Sequence, residues 1–358
     1  MSLRERLIAE IAQNGPVSIA EYMARCLHDP ADGYYATRPR LGAEGDFITA
    51  PHVSQMFGEL IGLWAAEVWA RLGSPTKVHL VEMGPGDATM LTDVLRAGRA
   101  VPGFLAAADI WLVEISAPLR ASQARTLGDR PVQWVRDLDD IPADAPMIIL
   151  ANEFLDCLPA LQFVRTDRGW AERRVGLNAD GELAFGLAPD LQGAPPGLPD
   201  APAGSVFEVS PELLSLGWRL GALIAKTGGC ALFVDYGRAI VECADTLQAL
   251  SGHTKVGPLE RPGEADLTVQ VDFPGFLAAA HEAGALTALT TQGGFLIKLG
   301  IGARAADLSR SNPDRAEVVD RQLQRLVGAD GMGELFKVAC VHGDGLEPPA
   351  FEGAVDGS

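Results

Sequence analysis

Apolar positions recur at helical spacing at the start of the chain, where Leu3, Leu7, Ile8 and Ile11 predict a helix over residues 3–13 that Gly15-Pro16 ends. Ser18, with Glu21 three residues on, makes a capping box for a second helix from Ile19 to Leu27. Two glycine-anchored loops with aromatics follow, Gly33-Tyr34-Tyr35 and Gly45-Asp46-Phe47-Ile48-Thr49-Ala50-Pro51, too apolar for idle solvent linkers. Thr49 is placed to cap a long helix from Pro51 to Leu72, with Phe57, Leu60, Ile61, Trp64 and Val68 on one face. The block 1–75 reads either as a helical lid that delivers Tyr34, Asp46 and Thr49 to a ligand or as a cap over a sheet edge. Periodicity alone does not separate the two.

From residue 76 the pattern changes to short apolar strands alternating with helices, which predicts an α/β domain built on a parallel sheet. The strands are Val78 to Met83, Ile110 to Glu114, Pro131 to Val135 and the run Met147-Ile148-Ile149-Leu150-Ala151. Unbroken apolarity in the last means burial on both faces, as in the centre of such a sheet. Residues 160–205 break the alternation with a meander, Leu161 to Arg165, Trp170 to Leu177 and Glu182 to Leu187, and read as a β-rich insertion. Val206 to Ser210 then re-enters the fold, and a helix from Pro211 leads to the strand Cys230 to Val234. A strand Leu286 to Thr290 and a last strand Glu334 to Val341 complete the sheet. The domain thus covers 76–159 and 206–343, with 344–358 expected to be a disordered tail.

The carboxyl ends of parallel strands form the ligand crevice of such folds, so the residues that end each strand carry the candidate chemistry. Glu82-Met83-Gly84-Pro85-Gly86-Asp87-Ala88-Thr89 joins the first strand to its helix. A dinucleotide fingerprint counted from Gly84 puts Thr89 at its third small position, which does not fit. The acid-x-G-x-G-x-G loop of S-adenosylmethionine (AdoMet) methyltransferases fits through Glu82, Gly84 and Gly86, with Ala88 in the third place. The acid discriminates: a carboxylate welcomes the ammonium of AdoMet and repels a pyrophosphate. A loop of this kind also suits any tight strand-to-helix turn. Glu114 ends the neighbouring strand, where an acid accepts both ribose hydroxyls of an adenosine. Asp137 falls where an adenine amino group would lie, although an ordinary N-cap explains it equally well. Asn152, Glu153 and Asp156 crowd the end of the buried strand, in the crevice or as turn and cap residues. Asp235-Tyr236-Gly237 ends another strand on the same edge.

Composition narrows the partners. With 358 residues, 47% hydrophobic, the chain can bury a large core. A net charge of −18 argues against gripping nucleic acid phosphates and favours a basic protein segment, or simply solubility. The five cysteines form no C-x-x-C pair and the six histidines no H-E-x-x-H motif, so reduced thiols and no metal are expected. No apolar run is long enough to span a bilayer, and the N-terminus lacks the pattern of a signal or transit peptide, so a cytoplasmic protein without membrane insertion is expected.

The chain resembles the MidA family, proteins similar to the mitochondrial methyltransferase that assists assembly of respiratory complex I. The resemblance runs from Ile19 to Val341. It rests on Gly33-Tyr34-Tyr35, Gly45-Asp46-Phe47-Ile48-Thr49, Phe57-Gly58-Glu59, Glu82-Met83-Gly84-Pro85-Gly86, Val113-Glu114-Ile115-Ser116, Ala151-Asn152-Glu153-Phe154-Leu155-Asp156, Asp235-Tyr236-Gly237 and Val271-Asp272-Phe273. It departs at Ala88, where the family has glycine, and at Gln270, where a histidine is expected. The resemblance implies a class I, Rossmann-like methyltransferase fold with a mostly parallel seven-stranded sheet, AdoMet as methyl donor and, for mitochondrial members, dimethylation of an arginine in a complex I subunit. On that reading Glu153 and Asp156 hold a guanidinium, with Glu208 and Asp235 as further contributors, since a carboxylate matches its planar fork of donors. The partner is then a protein carrying the target arginine, and a homodimer is left open. A non-catalytic assembly chaperone built on the same fold is the competing function. A nicotinamide-dependent oxidoreductase is disfavoured by Glu82 and Thr89.

Overall fold

A computed structural model describes residues 1–37, 48–189, 198–351 and 355–356, which leaves Asp46 outside the described residues. The expected sheet is present. Its strands run in the order Val132–Val135, Ala108–Val113, Val78–Met83, Met147–Asn152, Gly229–Arg238, Phe336–His342 and Leu286–Thr291. The first five are parallel, and Phe336–His342 inserts antiparallel to both neighbours. Two short pieces extend this frame: Val355–Asp356 at the outer edge and Val271–Asp272 beside the end of Gly229–Arg238.

Alternation along the strands builds a core on each face. Leu80, Ile148, Leu150 and Leu232 face the helices Gln55–Arg71 and Thr89–Gly98, while Val81, Ile149, Ala231 and Phe233 face Pro211–Thr227 and Phe273–Glu282. The first pair of helices packs very closely: a Cβ on Gly62 would meet the Val94 carbonyl oxygen at 2.6 Å. Both faces are therefore covered, and the open carboxyl edge of the sheet is left for the site.

A third core lies to one side. The helices Leu3–Asn14 and Ile19–His28 bury Leu3, Leu7, Ile11, Ile19, Tyr22 and Met23 against Val175, Leu183, Ala249 and Leu267. Here the β-rich segment forms its own sheet, in which Val17–Ser18, Gly169–Leu177, Leu161–Thr166 and Val206–Val209 are successive neighbours. Three expectations change as a result. The N-terminal block divides: its first two helices pack on the insertion, whereas Gln55–Arg71 packs on the main sheet. Val206–Val209 does not re-enter the main sheet but pairs antiparallel with Leu161–Thr166. The long helix is interrupted after the turn Ala50–Val53, because Ser54 adopts an extended conformation and its Oγ accepts from the Met56 amide, and Thr49 makes no capping bond.

The residues after Gly345 are not a loose tail up to Phe351. Leu346, Ala350 and Phe351 are buried, Phe351 lies 5.5 Å from the Phe295 ring centroid, and Trp64 Nε1 donates to the Pro349 carbonyl at 3.0 Å. Burial of these apolar side chains holds the segment up to Phe351 against the core, contrary to the expected disorder.

Candidate active site

A cavity of about 680 Å³ opens at the carboxyl edge of the sheet. One wall is the glycine loop. Gly84 and Gly86 have φ of 59° and 55°, the left-handed region that glycine enters without strain, and a Cβ on Gly84 would meet the Phe154 ring at 2.6 Å. Ala88 is held at φ 66° without that freedom, so the missing third glycine leaves strain at the start of the helix Thr89–Gly98.

Glu82 is buried, and among the described residues its Oε2 has no hydrogen-bond partner. Burial, helped by Asp87, pushes its carboxyl well above the usual range. A buried acceptor left unused costs about 1–3 kcal/mol, and an ammonium group at the cavity wall would satisfy it. Glu114 is braced where it lines the cavity: its Oε1 accepts from the Ser116 amide at 2.8 Å and its Oε2 from Gln123 Nε2 at 3.0 Å. Gln123 Nε2 also donates to the Gly86 carbonyl at 2.9 Å, tying Glu114 to the loop. Asp137 does two things. It caps the turn Leu138–Asp140 and pairs with Arg219, and it also lines the cavity.

Tyr34, buried, and Thr49 both line the cavity as expected. Beside them Tyr35 stacks on His28 and its hydroxyl donates to Asp266 Oδ1 at 3.1 Å, and all three residues face the cavity.

A second wall is the turn after Met147–Asn152. Asn152, Glu153 and Asp156 line the cavity together. Glu153 sits at φ 51°, an uncommon backbone for a residue with a Cβ, secured by its amide bond to the Val234 carbonyl at 2.9 Å. Its Oε1 accepts from the Ala50 amide and from Asn152 Nδ2, each at 3.0 Å. Burial pushes its carboxyl up to about 7, and burial likewise pushes Asp156 up to about 6 against a hydrogen bond from Tyr236. Asn152 Oδ1 is buried without a partner among the described residues.

Two expected substrate contacts are corrected. Asp235 does not reach the cavity: its Oδ2 accepts from the amides of Phe154, Leu155 and Asp156 at 3.0, 2.8 and 3.2 Å, and its Oδ1 from that of Tyr236 at 2.8 Å. It shapes the acceptor turn from behind. Glu208, carried off by the insertion sheet, spends its oxygens on Gln162 Nε2 at 2.7 Å, the Thr246 amide at 3.0 Å and the Thr246 hydroxyl. The cavity in turn includes Tyr35 and Asp87, which stand within motifs the sequence singled out but were given no role there, and His28, His52, Arg219 and Asp266, for which the sequence offered no signal beyond isolated polar positions.

Residues 60–291 match the model of a family of S-adenosyl-L-methionine-dependent methyltransferases. A zebrafish (Danio rerio) relative, "Protein arginine methyltransferase NDUFAF7, mitochondrial", is 35% identical over 365 residues, 94% of this chain and 86% of its own length. The chain belongs to the MidA family of AdoMet-dependent methyltransferases. The human (Homo sapiens) protein of the same name is 35% identical over 92% of this MidA-family chain and 81% of its own. A Burkholderia thailandensis structure with bound S-adenosyl-homocysteine superimposes with a TM-score of 0.82 at 28% identity, covering 99% of this chain and 94% of that one. The fold is thus that of class I methyltransferases and the methyl donor is AdoMet, which the free Glu82 oxygen and the glycine cradle fit. The relatives are mitochondrial proteins by name, which overturns the cytoplasmic placement expected from the N-terminal sequence. Among the described residues no helix is long and apolar enough to cross a membrane.

Proposed function

We propose that this MidA-family enzyme methylates an arginine side chain of a protein, and that the protein is a respiratory complex I subunit undergoing assembly. The observation that carries the reading is the acceptor turn, where the carboxylates of Glu153 and Asp156 line the cavity beside the unpartnered Asn152 Oδ1. The names of the zebrafish and human relatives support the same acceptor.

AdoMet, when bound, supplies an activated methyl group on a sulfonium. The chain's own residues supply position and proton handling. Glu82 takes the ammonium end of the donor and Glu114 the ribose, which leaves the acceptor half for the substrate. There Glu153 and Asp156 accept from the fork of a guanidinium, and Asn152 Oδ1 accepts a further N–H. A lysine ammonium presents no such planar fork. Alkylation of a guanidinium nitrogen releases one proton. Glu153 receives it, because burial has moved its carboxyl to about 7, close to the value at which a base works best near neutral pH.

The test is methyl incorporation into an arginine-containing complex I subunit by the native enzyme and by Glu153→Gln and Asp156→Asn, with AdoMet binding followed in parallel. The reading requires both variants to lose turnover while keeping the donor. Equal methylation of an Arg→Lys substrate would overturn it.

A further inference from the structure

The glycine loop and the acceptor acids follow different strands, yet the short turn Ala50–Val53 touches both. Its first amide, on Ala50, donates to Glu153 Oε1 at 3.0 Å. Two residues on, His52 Nε2 lies 3.0 Å from Asp87 Oδ2, in the glycine loop. The ring is fixed from its other side, where Nδ1 is 2.7 Å from Thr49 Oγ1. Asp87 Oδ1 in turn accepts from the Thr89 amide at 3.0 Å, at the start of the next helix. The His52 and Val53 amides close the turn on the Thr49 carbonyl at 2.9 and 3.1 Å. Thr49, His52, Asp87 and Glu153 all line the cavity.

A turn that served only to introduce the helix Gln55–Arg71 would need no imidazole, because Ser54 already caps that helix. The ring instead ties the glycine loop, through Asp87, to the turn whose Ala50 amide donates to Glu153. Asp87 accepts, so Nε2 carries hydrogen, and Asp87 raises the ring's proton affinity against the effect of burial; Glu153 and Asp93 act in the same direction as Asp87. A hydrogen bond is directional, so this one links the position of the ring to that of the glycine loop.

We propose that His52 is a positioning residue that couples the two halves of the cavity: filling the glycine loop fixes Asp87, Asp87 fixes His52, and the turn held by His52 presents the Ala50 amide to Glu153. Coupling of this sort is reciprocal, so an acceptor held by Glu153 would also tighten the donor site. The role of Glu153 in this scheme rests on the proposed acceptor chemistry; the link from the glycine loop to the Ala50 amide does not.

Hydrogen exchange of the backbone amides of Ala50, His52, Val53 and Ser54, followed with and without S-adenosylhomocysteine and with no acceptor present, tests the link by itself. In the native protein the ligand should slow exchange there by about tenfold or more. His52→Ala should bind S-adenosylhomocysteine within about threefold of native affinity by calorimetry but show no such slowing, and His52→Gln, which keeps a donor for Asp87, should recover part of it. Equal slowing in His52→Ala, or none in the native protein, would overturn the proposal. Loss of S-adenosylhomocysteine binding in His52→Ala would also overturn it, by making His52 a donor contact. Because no acceptor is present, failure of the arginine reading leaves this outcome unaffected.

Discussion

Replacing Glu153 by glutamine separates two consequences of one buried carboxyl. The amide oxygen can still accept from Ala50 and Asn152, so the turn keeps its local bonds, but the charge that would grip a guanidinium is gone. A hydrogen bond to a charged group is worth about 1.5–3 kcal/mol, so turnover efficiency should fall roughly ten- to a hundredfold with donor affinity nearly unchanged. Stability should move the other way. The folded carboxyl is raised from 4.5 to about 7, so the fold binds this proton more tightly than the unfolded chain. The stabilisation is complete below pH 4.5 and is lost as pH rises through 7. Above that, the fold carries a carboxylate it disfavours, by roughly 1–3 kcal/mol once exposure to the cavity is allowed for. Glu153→Gln should therefore be more stable than the native enzyme in urea unfolding at pH 8 and nearly equal to it at pH 5. A gap of the same size at both pH values, or native-like methyl incorporation by the variant, would refute the reasoning.

Gly84→Ala should weaken AdoMet binding and cost roughly 1–2 kcal/mol of stability, since its φ is left-handed and the new Cβ meets Phe154; calorimetry and urea unfolding check both. Phe351→Ala should cost about 3–5 kcal/mol in unfolding experiments with AdoMet affinity unchanged, because the ring packs on Phe295 and neither residue lines the cavity. Ala88→Gly should raise stability by up to about 1 kcal/mol by relieving a left-handed backbone, read from the urea midpoint.

The sheet was legible because its signals are local. Met147 to Ala151 is apolar throughout and is buried throughout, and the glycines at 84 and 86 adopt the backbone that only glycine takes freely. Strand ends then located the cavity, and Glu82, Glu114, Asn152, Glu153 and Asp156 all line it. Asp235 and Glu208 were misread because a sequence shows where a carboxylate stands but not what its oxygens accept. Asp235 faces three amides of the neighbouring turn, and Glu208 rides on a strand paired with the insertion rather than the main sheet. His52 and Gln123 carried no pattern, since each acts through a bond to a residue distant in the chain, Asp87 or the Gly86 carbonyl. The packing of Phe351 was not legible, because its contact with Phe295 depends on how the chain end returns over the core.

The central claim is tested most directly by mass spectrometry of complex I subunits from cells with and without this protein. A methylated arginine should be present in one subunit when the protein is there, absent when it is deleted, and restored by the native enzyme but not by Glu153→Gln. Unchanged arginine methylation in the deletion, or full restoration by Glu153→Gln, would contradict the account.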